Sequence, residues 1–568
     1  MFPGLSCYQW HEVTHCEGKL ILSLSLALSL AAIWGCRKIH AQKTQGKSSS
    51  SGQIPSLLDA TADQLLTGLE REWFTSSDLV NAYLGRTNDV NPALRVVMEV
   101  NPDAWSIAAE LDMERAQGRR RGPLHGLPVL IKGNIGTRDR MQTNAGSYAL
   151  QDAILPADST VVAKLRNHGL IILGKASLTE WSMFRSSNSS HGWNAVFGQM
   201  YSAYYPKQCP GGSSGGSAVA SDLGLAWAAL GTETDGSIVI PCERNNIVGI
   251  KPTVGLTSRY RVVPISEHQD TVGPMTRTVK DGAKLLQIIA GPDPNDTYTI
   301  ASPFTHRTPN YLAACKLSGL QGKRIGIAQN VIDESAEKVA HSMEAFQYAI
   351  KVIADAGANI VENTNFTAYS EWKKREYNPV TRMDFVTNLA QYLSKLERNP
   401  RKIHNIEDLR RFTWSFPPEE YPARNTRNWD TVIEAGLSNT SLEFWPIYQQ
   451  NLYFGGEGGI LGALERHSLD AVVLPTVIAA SMPALVGTPI ITVPLGAAPC
   501  DTAVEKEIGW DVVEMAPGVP FGISFLGAKW SEETLLEMAY AFEQRTMIRQ
   551  RLKRDVSPRV DLVDVIGE

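Results

Sequence analysis

One lysine and two glycine-flanked serines carry the chemistry this chain is equipped to perform. Lys132 closes the apolar run Pro128-Val129-Leu130-Ile131. Downstream come Gly211-Gly212-Ser213-Ser214-Gly215-Gly216-Ser217 and Gly231-Thr232-Glu233-Thr234-Asp235-Gly236-Ser237-Ile238, which set Ser213 and Ser237 24 residues apart. A lysine removed from water has a lowered pKa and can act as a neutral base. Ser237 stands at a glycine-bearing turn between an apolar strand and the helix start Ile238-Val239-Ile240-Pro241, the placing of a nucleophile. The backbone amides of Thr234, Asp235, Gly236 and Ser237 would face a developing oxyanion, each well-placed donor contributing about 3 kcal/mol. With Ser213 as intermediary the three residues form a relay. Neutral Lys132 takes a proton from Ser213, Ser213 takes one from Ser237, and Ser237 attacks a carbonyl. Taken singly, Lys132 reads as a strand-end lysine, Ser237 as an N-cap and Ser213 as part of a flexible loop. A mobile linker does not normally sit between strand and helix inside a compact core, so the joint reading is preferred.

Gly211-Gly212-Ser213-Ser214-Gly215 also fits the nucleophile elbow of α/β-hydrolases, which would make Ser213 the nucleophile with a histidine base. That elbow requires a strand directly before it, and Pro206 and Pro210 argue against one.

The elements that must position these groups alternate between helix and strand. Asp158-Ser159 caps an amphipathic run that Gly169 stops, and Leu170-Ile171-Ile172-Leu173 follows as a wholly apolar strand. Residues 128–131, 225–230, 323–328, 471–476 and 489–494 read the same way, and residues 532–544 form a final amphipathic helix. Continuous apolar strands between helices predict an α/β fold: one large domain with a mixed, mostly parallel central sheet flanked by helices on both faces. The domain spans 57–568. Residues 368–445 depart from the alternation, being rich in charge and in tryptophan (Trp372, Trp414, Trp429, Trp445). They read as a variable helical insertion beside the active site, or as a solvated appendage. Trp193, Tyr201, Tyr204 and Tyr205 read either as pocket lining or as core.

These residues resemble the amidase signature family, whose serine–cis-serine–lysine triad hydrolyses carboxamides. The resemblance places Lys132 on the family's lysine, Ser213 on its cis-serine and Ser237 on its nucleophile. It extends to Arg121-Gly122-Pro123-Leu124-His125-Gly126-Leu127-Pro128, to Asn246-Ile247-Val248-Gly249-Ile250-Lys251-Pro252, to His268-Gln269-Asp270-Thr271-Val272-Gly273-Pro274 and to Val519-Pro520-Phe521-Gly522. It thus covers about residues 60–550. It implies an amidase acting on the C–N bond of a small or lipid-like carboxamide through an acyl-enzyme on Ser237. Three positions depart from the common pattern. Gly133 stands where the family usually has Asp, Glu233-Thr234-Asp235-Gly236-Ser237 replaces Asp-Thr-Gly-Gly-Ser, and Val239 replaces a frequent arginine. The Asp235 form is similar to that of a fungal and plant branch. Gly133 raises a second function, a catalytically weakened member acting in binding. A third is glutamine-dependent transamidation as one component of a larger enzyme, the role of one branch of the family.

Composition bounds the partners. The chain has 568 residues, 43% hydrophobic and 20% charged, with a formal charge of −5, which is ordinary for a globular protein and offers no basic face for nucleic acid. Seven scattered cysteines lack CxxC pairing, so neither a metal site nor a disulfide framework is signalled, and no cofactor is expected. The oligomeric state cannot be read from the sequence. Residues 1–41 contain a nearly uncharged stretch, 20–34, flanked by Lys19 and by Arg37 and Lys38. Its length suits a secretory signal better than a spanning helix. A short membrane anchor through residues 20–36 is the alternative, and both are preferred to cytoplasmic residence. Residues 42–56, with four consecutive serines, read as a linker. Amino-terminal sequencing of the native protein is expected to begin at Gln42, after the Ile39-His40-Ala41 site. A native chain starting at Met1 would contradict the signal reading.

Overall fold

Wholly buried strands organise the chain into one sheet. The computed structural model describes residues 54–304, 308–375 and 377–566. The leader and nearly all of the linker lie outside the described residues. From Pro55 onward the chain forms one unit. Its strands are β1 (Val97–Val100), β2 (Pro128–Lys132), β3 (Ile171–Ala176), β4 (Ala228–Glu233), β5 (Val248–Lys251), β6 (Thr271–Thr276), β7 (Arg324–Ile327), β8 (Asn359–Val361), β9 (Ala471–Pro475), β10 (Ile490–Ala497) and β11 (Pro520–Leu526). They make an 11-stranded sheet in the order β1-β3-β2-β4-β6-β5-β10-β11-β9-β7-β8. Every residue of β2, β3, β4, β6, β9 and β11 is buried. Because successive side chains point to opposite faces, both faces must be covered.

The sheet is mixed, but it is not mostly parallel. β2 pairs parallel with β3 and β4, and β7 with β8 and β9. The β1–β3 pair and the run from β4 through β6, β5, β10 and β11 to β9 are antiparallel. The expectation fails for a physical reason. A strand buried on both faces is a continuous apolar run whichever way its neighbour points, so residues 490–494 carry no mark of direction.

Residues 368–445 fold as helices Tyr369–Trp372, Pro379–Ser394, Ile406–Ser415 and Arg427–Ala435. They have their own apolar centre. Phe385 and Trp429 stack with centroids 6.2 Å apart, and Trp181 meets both edge-on at 6.3 and 5.9 Å. Trp181 belongs to the segment beside the Gly211–Ser213 loop, since Thr179 donates its amide to the Ser213 carbonyl at 3.0 Å. Two buried polar ties fasten the helices further. Arg185 Nη1 lies 2.5 Å from Glu180 and 3.0 Å from Glu419. Asp384 accepts from Ser266 Oγ at 2.5 Å and lies 2.8 Å from His268 Nδ1. Of the four tryptophans, Trp429 is core, whereas Trp414 and Trp445 are exposed.

The aromatics before the glycine loop are structural. Arg424 covers Trp193 at 3.9 Å, and the Tyr204 hydroxyl donates to Asp222 at 3.0 Å. Asp222 ends the helix α1 (Gly215–Asp222) that follows Ser213, and it also binds Arg549 at 2.6 Å and Arg554 at 2.7 Å. Burial alone would raise its pKa, yet the two guanidinium charges hold it below the ordinary carboxylate value. No helix among the described residues is long and apolar enough to cross a membrane. Asp222→Ala strands two buried guanidinium groups and is expected to cost about 3–5 kcal/mol, measured as a lowered denaturant midpoint. A loss below about 1 kcal/mol, the range of a surface ion pair, would show the cluster is not coupled to the fold.

Candidate active site

β2 delivers Lys132 to the interior. The chain leaves the strand at Gly133, and the lysine side chain is fully buried. Its Nζ lies 2.7 Å from Ser213 Oγ, 2.8 Å from Thr232 Oγ1 and 3.1 Å from the Thr232 carbonyl. All three partners are uncharged oxygens. Desolvation lowers its pKa to about 7, opposed by the more distant charges of Asp270 and Glu233. Lys251, also buried, is pushed down only to about 8.

The two serine turns touch. The Gly212–Ser213 peptide is cis, and the Ser214 amide donates to the Ser237 carbonyl at 3.1 Å. Ser214 Oγ donates to the Thr232 carbonyl at 3.0 Å, tying the first turn to the end of β4. Ser213 is fully buried and Ser237 is 6% exposed. The helix α1 begins at Gly215, so Gly215 and Gly216 are helical rather than part of the Ser213 turn.

Ser237 lies between β4 and α2 (Val239–Arg244), as expected from its helix-start sequence. A buried carboxylate not anticipated in the sequence shapes this turn. Glu233 accepts the amides of Ile238 at 2.7 Å and Val239 at 3.0 Å. Gly236 has φ +81°, a conformation that glycine adopts without strain. Thr234 Oγ1 donates to Asp270 at 2.6 Å, and the Thr234 carbonyl accepts from Gln269 Nε2 at 3.2 Å. Asp270 is in turn held by the amides of Ile265 and Ser266, and burial pushes it up to about 6. Asp235 is solvent-accessible but hemmed in by the cleft; desolvation, and then the Glu233 charge, raise it to about 6, while Ser481 Oγ donates to it at 3.2 Å. Asn134 Nδ2 donates to Thr232 Oγ1 at 3.0 Å. Thr232 and Glu233 stood inside the quoted motif, but only their neighbours' roles were legible there.

Two cavities flank the turn. One, of about 230 Å³, has Asn134, Thr232, Thr234 and Asp270 at its base and Val262, Val263 and Tyr392 among its walls. The other, of about 740 Å³, opens beside Asp235 and Gly236 and is bounded by Trp372 and Ser481. Helices of the 368–445 region therefore help to line both.

The sequence and the fold have counterparts in known proteins. The family model described as Amidase matches residues 78–536. The chain belongs to the amidase signature family. An amidase-named protein of Arthroderma benhamiae is 50% identical over 537 residues, covering 90% of each chain. One of Arabidopsis thaliana is 36% identical, covering 87% of this chain and 91% of its own. The native peptide amidase of Stenotrophomonas maltophilia superposes with a TM-score of 0.78 at 36% identity, covering 88% of this chain and 99% of that structure. This chain is an amidase, a hydrolase of C–N bonds in linear amides. A glutamyl-tRNA(Gln) amidotransferase component from Thermosynechococcus vestitus is 31% identical over 497 residues, so the transamidation reading is the weaker one.

Gly133, the family departure, packs closely. A Cβ there would stand 2.6 Å from Met98 Cε and 3.2 Å from Leu178 Cδ2, so apolar atoms occupy the space of a side chain. The change is matched by its surroundings and leaves the Lys132–Ser213 contact intact. Gly133→Asp is expected to cost about 1–3 kcal/mol by overpacking, measured by thermal melting, and Met98→Ala in the same chain to recover part of it. No recovery would show that Met98 does not fill this space.

Proposed function

We propose that this amidase works through a Lys132–Ser213–Ser237 relay, with Ser237 as nucleophile. The observation that carries the reading is the 2.7 Å contact between a buried lysine and Ser213, with only neutral oxygens around the amine. An uncharged amine has two hydrogens and one lone pair. Thr232 supplies two acceptors, its hydroxyl and its carbonyl, so the lone pair is left to receive the Ser213 proton. Thr232, steadied by Asn134, is thus a positioning residue. Ser213 takes the Ser237 proton as the Ser237 oxygen attacks the amide carbon, and the proton returns to the departing nitrogen. Water then attacks the acyl-enzyme by the reverse route. The Thr234-Asp235-Gly236-Ser237 turn supports the oxyanion, its shape set by Glu233 and Asp270. For substrate we favour peptide-like carboxamides, supported by the likeness to the Stenotrophomonas maltophilia peptide amidase. The two cavities would receive the acyl and amine sides.

A fluorophosphonate probe is expected to label the wild type and not Ser237→Ala; labelling that persists would refute Ser237 as nucleophile. Lys132→Ala should lower kcat/KM roughly 10²–10⁴-fold. Because the base acts uncharged, kcat/KM should rise with pH to a plateau above about 7, near the lysine's lowered pKa. A flat profile between pH 5 and 9 would rule out that base. Comparing amidated dipeptides with long-chain fatty amides tests the substrate class, and preference for the latter would overturn it.

A further inference from the structure

Behind the Ser213 loop lies a group of donors that the relay does not use. His191, Cys209, Glu507 and Glu514 each offer one ligand atom, and all four atoms lie within 4.8 Å of one another. The residues are widely separated in sequence. The chain folds them together by laying the hairpin Glu505–Lys506 and Val513–Met515 over the segment that precedes Gly211. Cys209 donates its amide to the Val513 carbonyl at 2.8 Å, and Val513 returns an amide to Lys207 at 2.9 Å.

The four groups are held as a metal site requires. Glu507 Oε2 accepts from the His191 amide at 3.0 Å, which holds the carboxylate beside the ring, and its Oε1 lies 2.8 Å from His191 Nδ1, a contact that a metal between the two would replace. Cys209 is 2% exposed. Arg244 occupies only one side of Glu514, binding Oε1 at 2.6 Å and the backbone carbonyl at 2.7 Å. Glu514 Oε2 is buried with no close hydrogen-bond partner, the Cys209 thiol, a weak donor, being the group drawn toward the carboxylate. Buried polar atoms are rarely left so. The charges also close. Two carboxylates and a thiolate sum to three negative charges, and Arg244 with one divalent cation supplies three positive ones. One nitrogen, one sulfur and two carboxylate oxygens make a borderline-soft, four-coordinate set of the kind zinc takes. The His191 side chain is 35% exposed, which provides a way in.

We propose that His191, Cys209, Glu507 and Glu514 form a zinc-type site that staples the 505–515 hairpin to the loop carrying Ser213. Binding breaks the Cys209 S–H bond, forms an S–metal bond and releases one proton to water, with no change of oxidation state. The site would bear on the catalytic loop because the His191 ring abuts Gly212. A Cβ at Gly212 would lie 2.9 Å from His191 Cδ2. Metal binding here is independent of the Ser237 relay, and either can fail without the other.

The test uses the full-length protein, stripped with a chelator and titrated with Zn²⁺ and Co²⁺. Elemental analysis should find one zinc per chain after dialysis, and cobalt should give a thiolate charge-transfer absorption band. Cys209→Ser should abolish that band, Glu514→Gln should weaken binding roughly 10–100-fold, and Cys500→Ser should change neither. Should Cys209→Ser fail to fold, His191→Asn, altered at a partly exposed position, is expected to lose the metal in the same way. Zinc should also raise the wild-type melting temperature and not that of Cys209→Ser or His191→Asn. A wild type that binds no metal, or a cobalt band that survives Cys209→Ser, would overturn the proposal.

Discussion

A primary amine deprived of water and given only neutral oxygens to touch is the constraint around which this structure is arranged. Burial removes the hydration that stabilises an ammonium ion, and no carboxylate is among the hydrogen-bond partners of Lys132 to restore the charge. Asp270 and Glu233 act on it only from a distance, and each is itself raised by burial. The contrast with Asp222 is instructive. That carboxylate is equally buried but has two guanidinium groups against it, and it stays ionised. Burial sets the tendency, and the immediate partner decides the outcome.

The remaining architecture keeps that amine against Ser213, whose loop touches the turn that carries Ser237. β2 and β4 are parallel neighbours, so Lys132 and Thr232 leave the same end of adjacent strands. The antiparallel β6 lies on the other side of β4 and brings Asp270, just before its first residue, to the turn that carries Thr234. The 368–445 helices add a second layer of support. Asp384 fastens the loop that contains Asp270, and Arg185 with Glu419 fastens the segment that meets Ser213. Their aromatic centre, built on Phe385, Trp429 and Trp181, makes the region a wall of the site rather than a solvated appendage.

The lysine, both serines and the strands that precede Lys132 and Ser237 were legible in the sequence because glycine-rich turns and uninterrupted apolar runs leave marks at short range. Strand direction was not, since 490–494 reads identically in either orientation. Thr232, Glu233, Asn134 and Asp270 escaped for another reason. Their work is done by hydrogen bonds to backbone or to one another, across gaps that no periodicity records. Gly133 looked like a loss because the sequence shows a missing side chain but not Met98 filling its space. The donors around Cys209 are spread from position 191 to 514, so no spacing rule could join them.

The most direct test is the titration of Lys132 itself, followed through the NMR signals of its ε-carbon and ζ-nitrogen in the resting enzyme. A buried, uncharged base predicts a midpoint near 7 that moves when Thr232 or Ser213 loses its hydroxyl. A lysine that stays charged to about pH 10, the value for free lysine, would contradict it.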